Sequence, residues 1–125
     1  MGKKGFRDLV VWQKAKDLAV IIYRISQEGA ISRDFGLRDQ IRRNVVSIAS
    51  NLAEGDERDT DKESVRFFHI AKGSLAELRT QIEIAYEIGY LDKRLYETIE
   101  DKCSTLGKMI GSLIKARRGV SQKRE

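Results

Sequence analysis

Proline is absent from this 125-residue chain, where average usage of about 5% would supply roughly six. Nothing in the sequence therefore interrupts a long helix from within. Cysteine occurs once, as Cys103, so no disulfide can form within the chain and no zinc site can be built on paired thiolates. A reducing cytoplasmic setting is the expectation. Histidine also occurs once, as His69, and a di-iron carboxylate bundle needs a Glu-x-x-His from each of two helices. Long apolar runs are missing too. The longest, Leu18 to Tyr23, is far short of the roughly 18 residues that cross a bilayer, so no membrane partner is expected. The basic start MGKKGF leads straight into the charged RDLVVWQKAKD, which breaks up a secretory apolar region, and Phe6 occupies the Ser/Thr position of a myristoylation signal.

What is present is apolar periodicity at helical spacing. The length fits one domain, the 41% apolar content can fill its core, and the 34% charged content solvates its exterior. A first helix is predicted over about 8–27 on Leu9, Trp12, Ala15, Ala19 and Ile22, with Gly29 as the residue that closes it. Val10, Val11, Leu18, Ile21 and Ile25 widen that stripe beyond one face, and a subunit contact would cover the excess. The second helix, about 37–54, carries Leu37, Ile41, Val45, Ile48 and Leu52, with Gly55 as its stop.

Thr60 and Glu63 are spaced as a capping box that opens a third helix over about 61–88, on Phe68, Ala71, Leu75, Leu78, Ile82 and Ala85. Gly89 ends it. Asp92 caps a fourth, about 92–117, on Leu95, Ile99, Cys103, Leu106, Ile110 and Leu113. Short connections imply antiparallel neighbours, so the expected architecture is all-α, an up-down-up-down four-helix bundle spanning 1–118 with a flexible basic tail at 119–125.

The net charge of +5 conceals a polarity: residues 1–53 balance at +5, residues 54–101 at −6 and residues 102–125 at +6. Such segregation can steer an anionic polymer to one surface or match acidic and basic patches of two subunits, and both readings stand at this level. The candidate phosphate contacts are Arg38, Arg42 and Arg43 on the second helix and Lys108, Lys115, Arg117 and Arg118 on the fourth. Arg38 and Arg42 are like charges one turn apart, a repulsion that an anionic partner relieves. Asp39 stands four residues before Arg43 in the favourable order for an ion pair. The C-terminal cations can equally serve the helix dipole.

Catalysis finds no seat. The acidic loop Asp56, Glu57, Asp59 and Asp61 lacks the glycine and terminal glutamate of a calcium loop, no phosphate-binding glycine motif is present, and nothing nucleophilic is spaced to partner His69. Neither cofactor nor metal is expected, and Cys103 on the core stripe reads as an inert small hydrophobe.

The segment SIASNLAEGDERDTDKESVRFFHIAKGSLAELRTQIEIAYEIGYLD, with FRDLVVWQKAKDLA before it, closely resembles the four-helix-bundle family encoded in intervening sequences of bacterial 23S ribosomal RNA genes, also called the S23 ribosomal protein family. The resemblance rests on Asn51-Leu52-Ala53-Glu54-Gly55, Arg66-Phe67 and Gly73-Ser74-Leu75, and covers about Phe6 to Ala116. It implies a cytosolic bacterial protein that assembles as a ring-like homopentamer. A relative, the accessory variability determinant of diversity-generating retroelements, works with a reverse transcriptase and its template RNA through basic surfaces. Arg42 and Arg43 fall on the family's paired-arginine position. The expected function is thus a non-enzymatic accessory protein binding RNA or an RNA–DNA hybrid, with an oligomeric adaptor for a protein partner as the alternative. Within the motif, structural duties are expected: Gly55 ends a helix, Glu54 accepts from Arg66 or nearby amides, Asn51 ties down the loop and Gly73 permits close helix packing.

Overall fold

A computed structural model describes the backbone over residues 5–124 and side chains over 5–119. A short 3-10 turn, Gly5–Asp8, precedes α1 (Val10–Ile25), α2 (Gly29–Arg33), α3 (Phe35–Asp56), α4 (Asp61–Glu87) and α5 (Lys93–Arg124). The described residues contain four long helices and no strand, and the long helices pack as a four-helix bundle. No described helix is long and apolar enough to cross a membrane. Among the long helices that pack side by side, contacts are densest between α3 and α4 and between α4 and α5, and thinner between α1 and α5 than between α1 and α3.

Each helix end has a local cause. Asp34 caps α3 by accepting from the Leu37 amide at 3.1 Å, and its other oxygen accepts from the Tyr90 hydroxyl at 2.9 Å, which ties the α4–α5 turn to the start of α3. That hydrogen bond also raises the Tyr90 pKa, because the phenol is held protonated against a carboxylate. Thr60 accepts from the Glu63 amide at 3.2 Å, as the capping box requires. Asp92 does the same for Leu95 at 2.8 Å. After Glu87 the chain turns through Gly89 at φ +86°, with the Gly89 amide on the Tyr86 carbonyl and the Tyr90 amide on that of Ala85. This pair of bonds closes α4 at the expected glycine.

The core is the set of stripes facing inward: Val11, Ala15, Leu18 and Ile22 from α1, Ile41, Val45, Ile48 and Leu52 from α3, the whole expected stripe of α4, and Ile99, Cys103, Leu106, Ile110 and Ile114 from α5. The face of α1 is rotated from the expected one. Leu9, Trp12 and Ala19 lie half-buried at its margin, and Trp12 packs its ring 4.9 Å from that of Phe6.

Three expectations are corrected here. Gly29 does not close the first helix: α1 ends at Ile25 with Ser26 as its cap, and Gly29, at φ +74°, opens the unanticipated α2. Gly55 does not stop the second helix, since it lies buried inside α3 against Phe68. The fourth helix continues past residue 117, to Arg124. Helix thus covers 119–124 of the segment expected as a flexible tail, while residue 125 and the side chains beyond Gly119 lie outside the described residues.

Candidate nucleic-acid interface

The α3 arginines are committed to the fold. Arg42 donates from Nε to Ser26 Oγ at 2.8 Å and from Nη2 to the Tyr23 carbonyl at 3.3 Å, with its guanidinium 4.5 Å from the centre of the Tyr23 ring. Ser26 in turn donates to the Ile22 carbonyl at 2.7 Å. A cation from α3 thereby satisfies the carbonyl end of α1, where the helix dipole favours positive charge. Arg38 is held by the Ser32 carbonyl and Asp39, each at 3.0 Å, and covers the exposed Phe35 ring. The repulsion between Arg38 and Arg42 is thus relieved from within the chain. Asp39, expected to pair with Arg43, pairs with Arg38. Arg43 is exposed, and no ion pair is formed by it among the described residues.

Arg117 also turns inward. Its Nη2 lies 2.8 Å from Asp56 Oδ1, the Asp56 side chain is only 5% exposed, and the guanidinium covers the Phe68 ring. This pair joins the end of α3 to the end of α5.

The remaining cations of α5 meet α4 in a groove. One depression of about 550 Å³ is lined by His69, Lys72, Gly111, Ile114, Lys115, Arg118 and Gly119. An adjoining one of about 350 Å³ is lined by Lys72, Leu75, Ala76, Arg79, Ser104, Gly107 and Lys108, so Lys72 stands at the junction of the two. Among the described residues, no carboxylate lines either. Arg79 is engaged by Glu100, whose hydrogen bond raises the arginine's pKa. Lys72, Lys108, Lys115 and Arg118 are left to set the potential of the groove.

Glycine opens the groove. A Cβ on Gly111 would meet no atom within 4 Å, and one on Gly107 would only touch Leu75 at 3.4 Å. At the upper end Arg118 Nη2 lies 2.8 Å from His69 Nε2. A guanidinium has donors alone, so this imidazole nitrogen is the acceptor and the ring carries its single proton on Nδ1.

The sequence had singled out Lys108, Lys115 and Arg118 but not Lys72 or the place of His69. Their periodicity puts His69, Lys72 and Arg79 on one strip of α4, three and seven residues apart, yet only the register between α4 and α5 turns that strip toward the α5 cations.

The family motif does its work inside the chain, with changes from expectation. Glu54 pairs with Arg58 at 3.1 Å, while Arg66 pairs with Glu63 at 3.5 Å. Asn51 does not hold the loop. It donates to the Ser47 carbonyl at 2.9 Å and to Ser47 Oγ, which shares a hydrogen bond with Ser74 Oγ at 2.8 Å across α3 and α4. Asn44 and Gln81 cross the same interface at 3.0 Å. Gly73 is exposed with open space where its Cβ would stand, so no close helix packing within the chain requires it. Cys103 is fully buried, and burial pushes its thiol up to about 12. The described residues hold no cluster of three or more His, Cys, Asp or Glu suited to a metal ion.

No curated protein sequence matches this chain. A crystal structure of a protein of unknown function from the S23 ribosomal protein family of Bacteroides thetaiotaomicron is similar, with 25% identity and a TM-score of 0.80 over 86% of this chain and 97% of that one. The family model described as 23S rRNA-intervening sequence protein matches residues 7–112, which includes the α3–α4 motif and most of the groove. With a bundle of the same shape and a match over most of its length, the chain belongs to the 23S rRNA-intervening sequence protein family.

Proposed function

We propose that this protein is a non-enzymatic accessory factor that binds RNA, or an RNA–DNA hybrid, through the phosphates, in the groove between α4 and α5. The observation that carries the reading is the groove's lining of Lys72, Lys108, Lys115 and Arg118, with no carboxylate beside them among the described residues. Two low-dielectric walls of one charge focus the field and attract a polyanion, and phosphate contacts of this kind position a nucleic acid without reading its bases. Affinity for RNA should fall steeply with salt. Substituting Lys72→Ala together with Lys115→Ala should weaken binding to many sequences alike and reduce the slope of log K against log salt by roughly 1.4 to 1.8. Absence of RNA binding at low salt, or a slope unchanged by the double substitution, overturns the reading.

A second reading concerns assembly, and it has its own observation. The cleft where α1 meets α5 is lined by Leu9, Val10, Val11, Met109 and Leu113 together with Asp8, Lys108 and Ser112, and Val10 is 54% exposed. Apolar surface left open on a helix this hydrophobic suits another copy of the chain, consistent with the homopentameric ring that the family resemblance implies. Light scattering tests this independently of RNA: a monomer at micromolar concentration removes the self-association.

A further inference from the structure

The contact between His69 and Arg118 has a property that a plain basic groove lacks. Nε2 of the neutral imidazole accepts from a guanidinium that never gives up its proton. Protonation of the ring abolishes that acceptor and sets two cations against each other. Every other charged group lining this depression is also positive: Lys72 from α4 itself, and Lys115 with Arg118 from α5. Asp56 at the end of α3 holds Arg117, and Glu63 on α4 pairs with Arg66. An anion lying between the two side chains changes the arrangement, because imidazolium and guanidinium can then both donate to it.

We infer that His69 and Arg118 form a proton-coupled phosphate site within the groove, in which a phosphodiester oxygen displaces their mutual hydrogen bond and His69 takes up one proton from solvent. The inference rests on the groove being the nucleic-acid site. The bound state then contains Arg118 Nη2–H and His69 Nε2–H as two donors to one phosphate, flanked by Lys72 and Lys115. Because an imidazole changes charge between pH 5 and 8, RNA affinity becomes a function of pH in that window. Linkage makes the effect reciprocal: protonation strengthens RNA binding, and RNA strengthens protonation.

The single histidine makes the test direct, since its ring signals need no assignment. A short uridine homopolymer RNA is the probe, because neither its base nor its phosphodiester titrates near neutrality. Affinity is measured at constant ionic strength from about pH 8 to pH 5.5, and should rise roughly five- to tenfold as the ring becomes charged. In the His69→Gln variant the amide oxygen can still accept from Arg118 but takes up no proton, so its affinity, whatever its level, should stay flat across the range. The ring resonances of the wild type should titrate at a higher pH with RNA than without. Parallel pH profiles for wild type and His69→Gln, or an imidazole titration that RNA leaves in place, overturn the proton coupling while the groove reading survives. A wild-type protein that binds no RNA at either end of the range overturns both.

Discussion

Gly55 faces the ring of Phe68 so closely that a Cβ added to the glycine would stand 2.5 Å from Cε1. The clash is with a fully buried ring and with the Cβ of Phe67 at 3.1 Å, neither of which can swing aside. This contact between α3 and α4 brings together Gly55 and Phe67, two residues on which the family resemblance rests, with Phe68 packed between the helices.

Gly55→Ala should therefore destabilise the protein by about 1 to 3 kcal/mol, the range for overpacking a filled core, even though alanine is the better helix former. Urea unfolding monitored by circular dichroism gives the figure. A midpoint that stays put would show that the α3–α4 contact yields to an extra methyl group.

Gly73 should respond with the opposite sign. It sits in the middle of α4 with helical backbone and open space at its Cβ position, so Gly73→Ala should raise stability by about 0.5 to 1 kcal/mol through the unfolded chain's lost freedom. The same unfolding curves measure it. A loss of stability, accompanied by a smaller particle in light scattering, would show that another chain packs against this face in solution.

Arg42→Met keeps the aliphatic length and removes the cap of α1, breaking the bond to Ser26 Oγ and leaving the Tyr23 carbonyl with the Ser26 hydroxyl alone at 3.2 Å. We expect a loss of about 1 to 2 kcal/mol, with RNA affinity unchanged. Reduced RNA affinity in a variant of unaltered stability would move the arginine from scaffold to site.

Asp56 and Arg117 should be energetically coupled. A double-mutant cycle with Asp56→Asn and Arg117→Met is expected to return about 1 to 3 kcal/mol of interaction, since breaking the pair leaves one charge half-desolvated against Phe68. Additive single effects would contradict the inward role of Arg117.

Cys103 supplies the pH-dependent prediction. The native state holds the thiol protonated up to about 12 by burial, whereas an unfolded chain releases the proton from about pH 8.5. The raised native value means that the contribution is complete below pH 8.5 and is lost as pH climbs toward 12. Stability should decline in that alkaline window, and Cys103→Ala should make the decline shallower. A thiol reagent at pH 8 should label the native protein only at the rate of unfolding; fast labelling would place the sulfur at the surface.

The stripes of α3, α4 and α5 were legible because a helix that buries one face repeats its apolar residues every three or four positions, and no proline interferes. The stripe of α4 came out complete, from Phe68 to Ala85. The one on α1 was placed about a quarter-turn away, because that helix is apolar on so many sides that periodicity does not select the face its neighbours cover. Caps formed by Asp92 and Thr60 were legible for a local reason, since a side chain three residues from an amide needs no tertiary partner. Gly29, by contrast, has the left-handed backbone expected of it but serves the start of α2.

The basic side chains show where sequence reading ends. Arg38, Arg42, Arg43, Arg117 and Arg118 look alike in a list of charges. The amino-acid sequence by itself determined an all-helical chain, the membership carried by its Asn51–Gly55 motif, and the number of cations available. Only the packing of the helices decided that Arg38, Arg42 and Arg117 answer carbonyls and carboxylates of their own chain while Lys72, Lys115 and Arg118 face one another across a groove. The reason is physical: periodicity fixes direction around one helix axis, whereas the partner of a long flexible cation depends on the register and rotation between two.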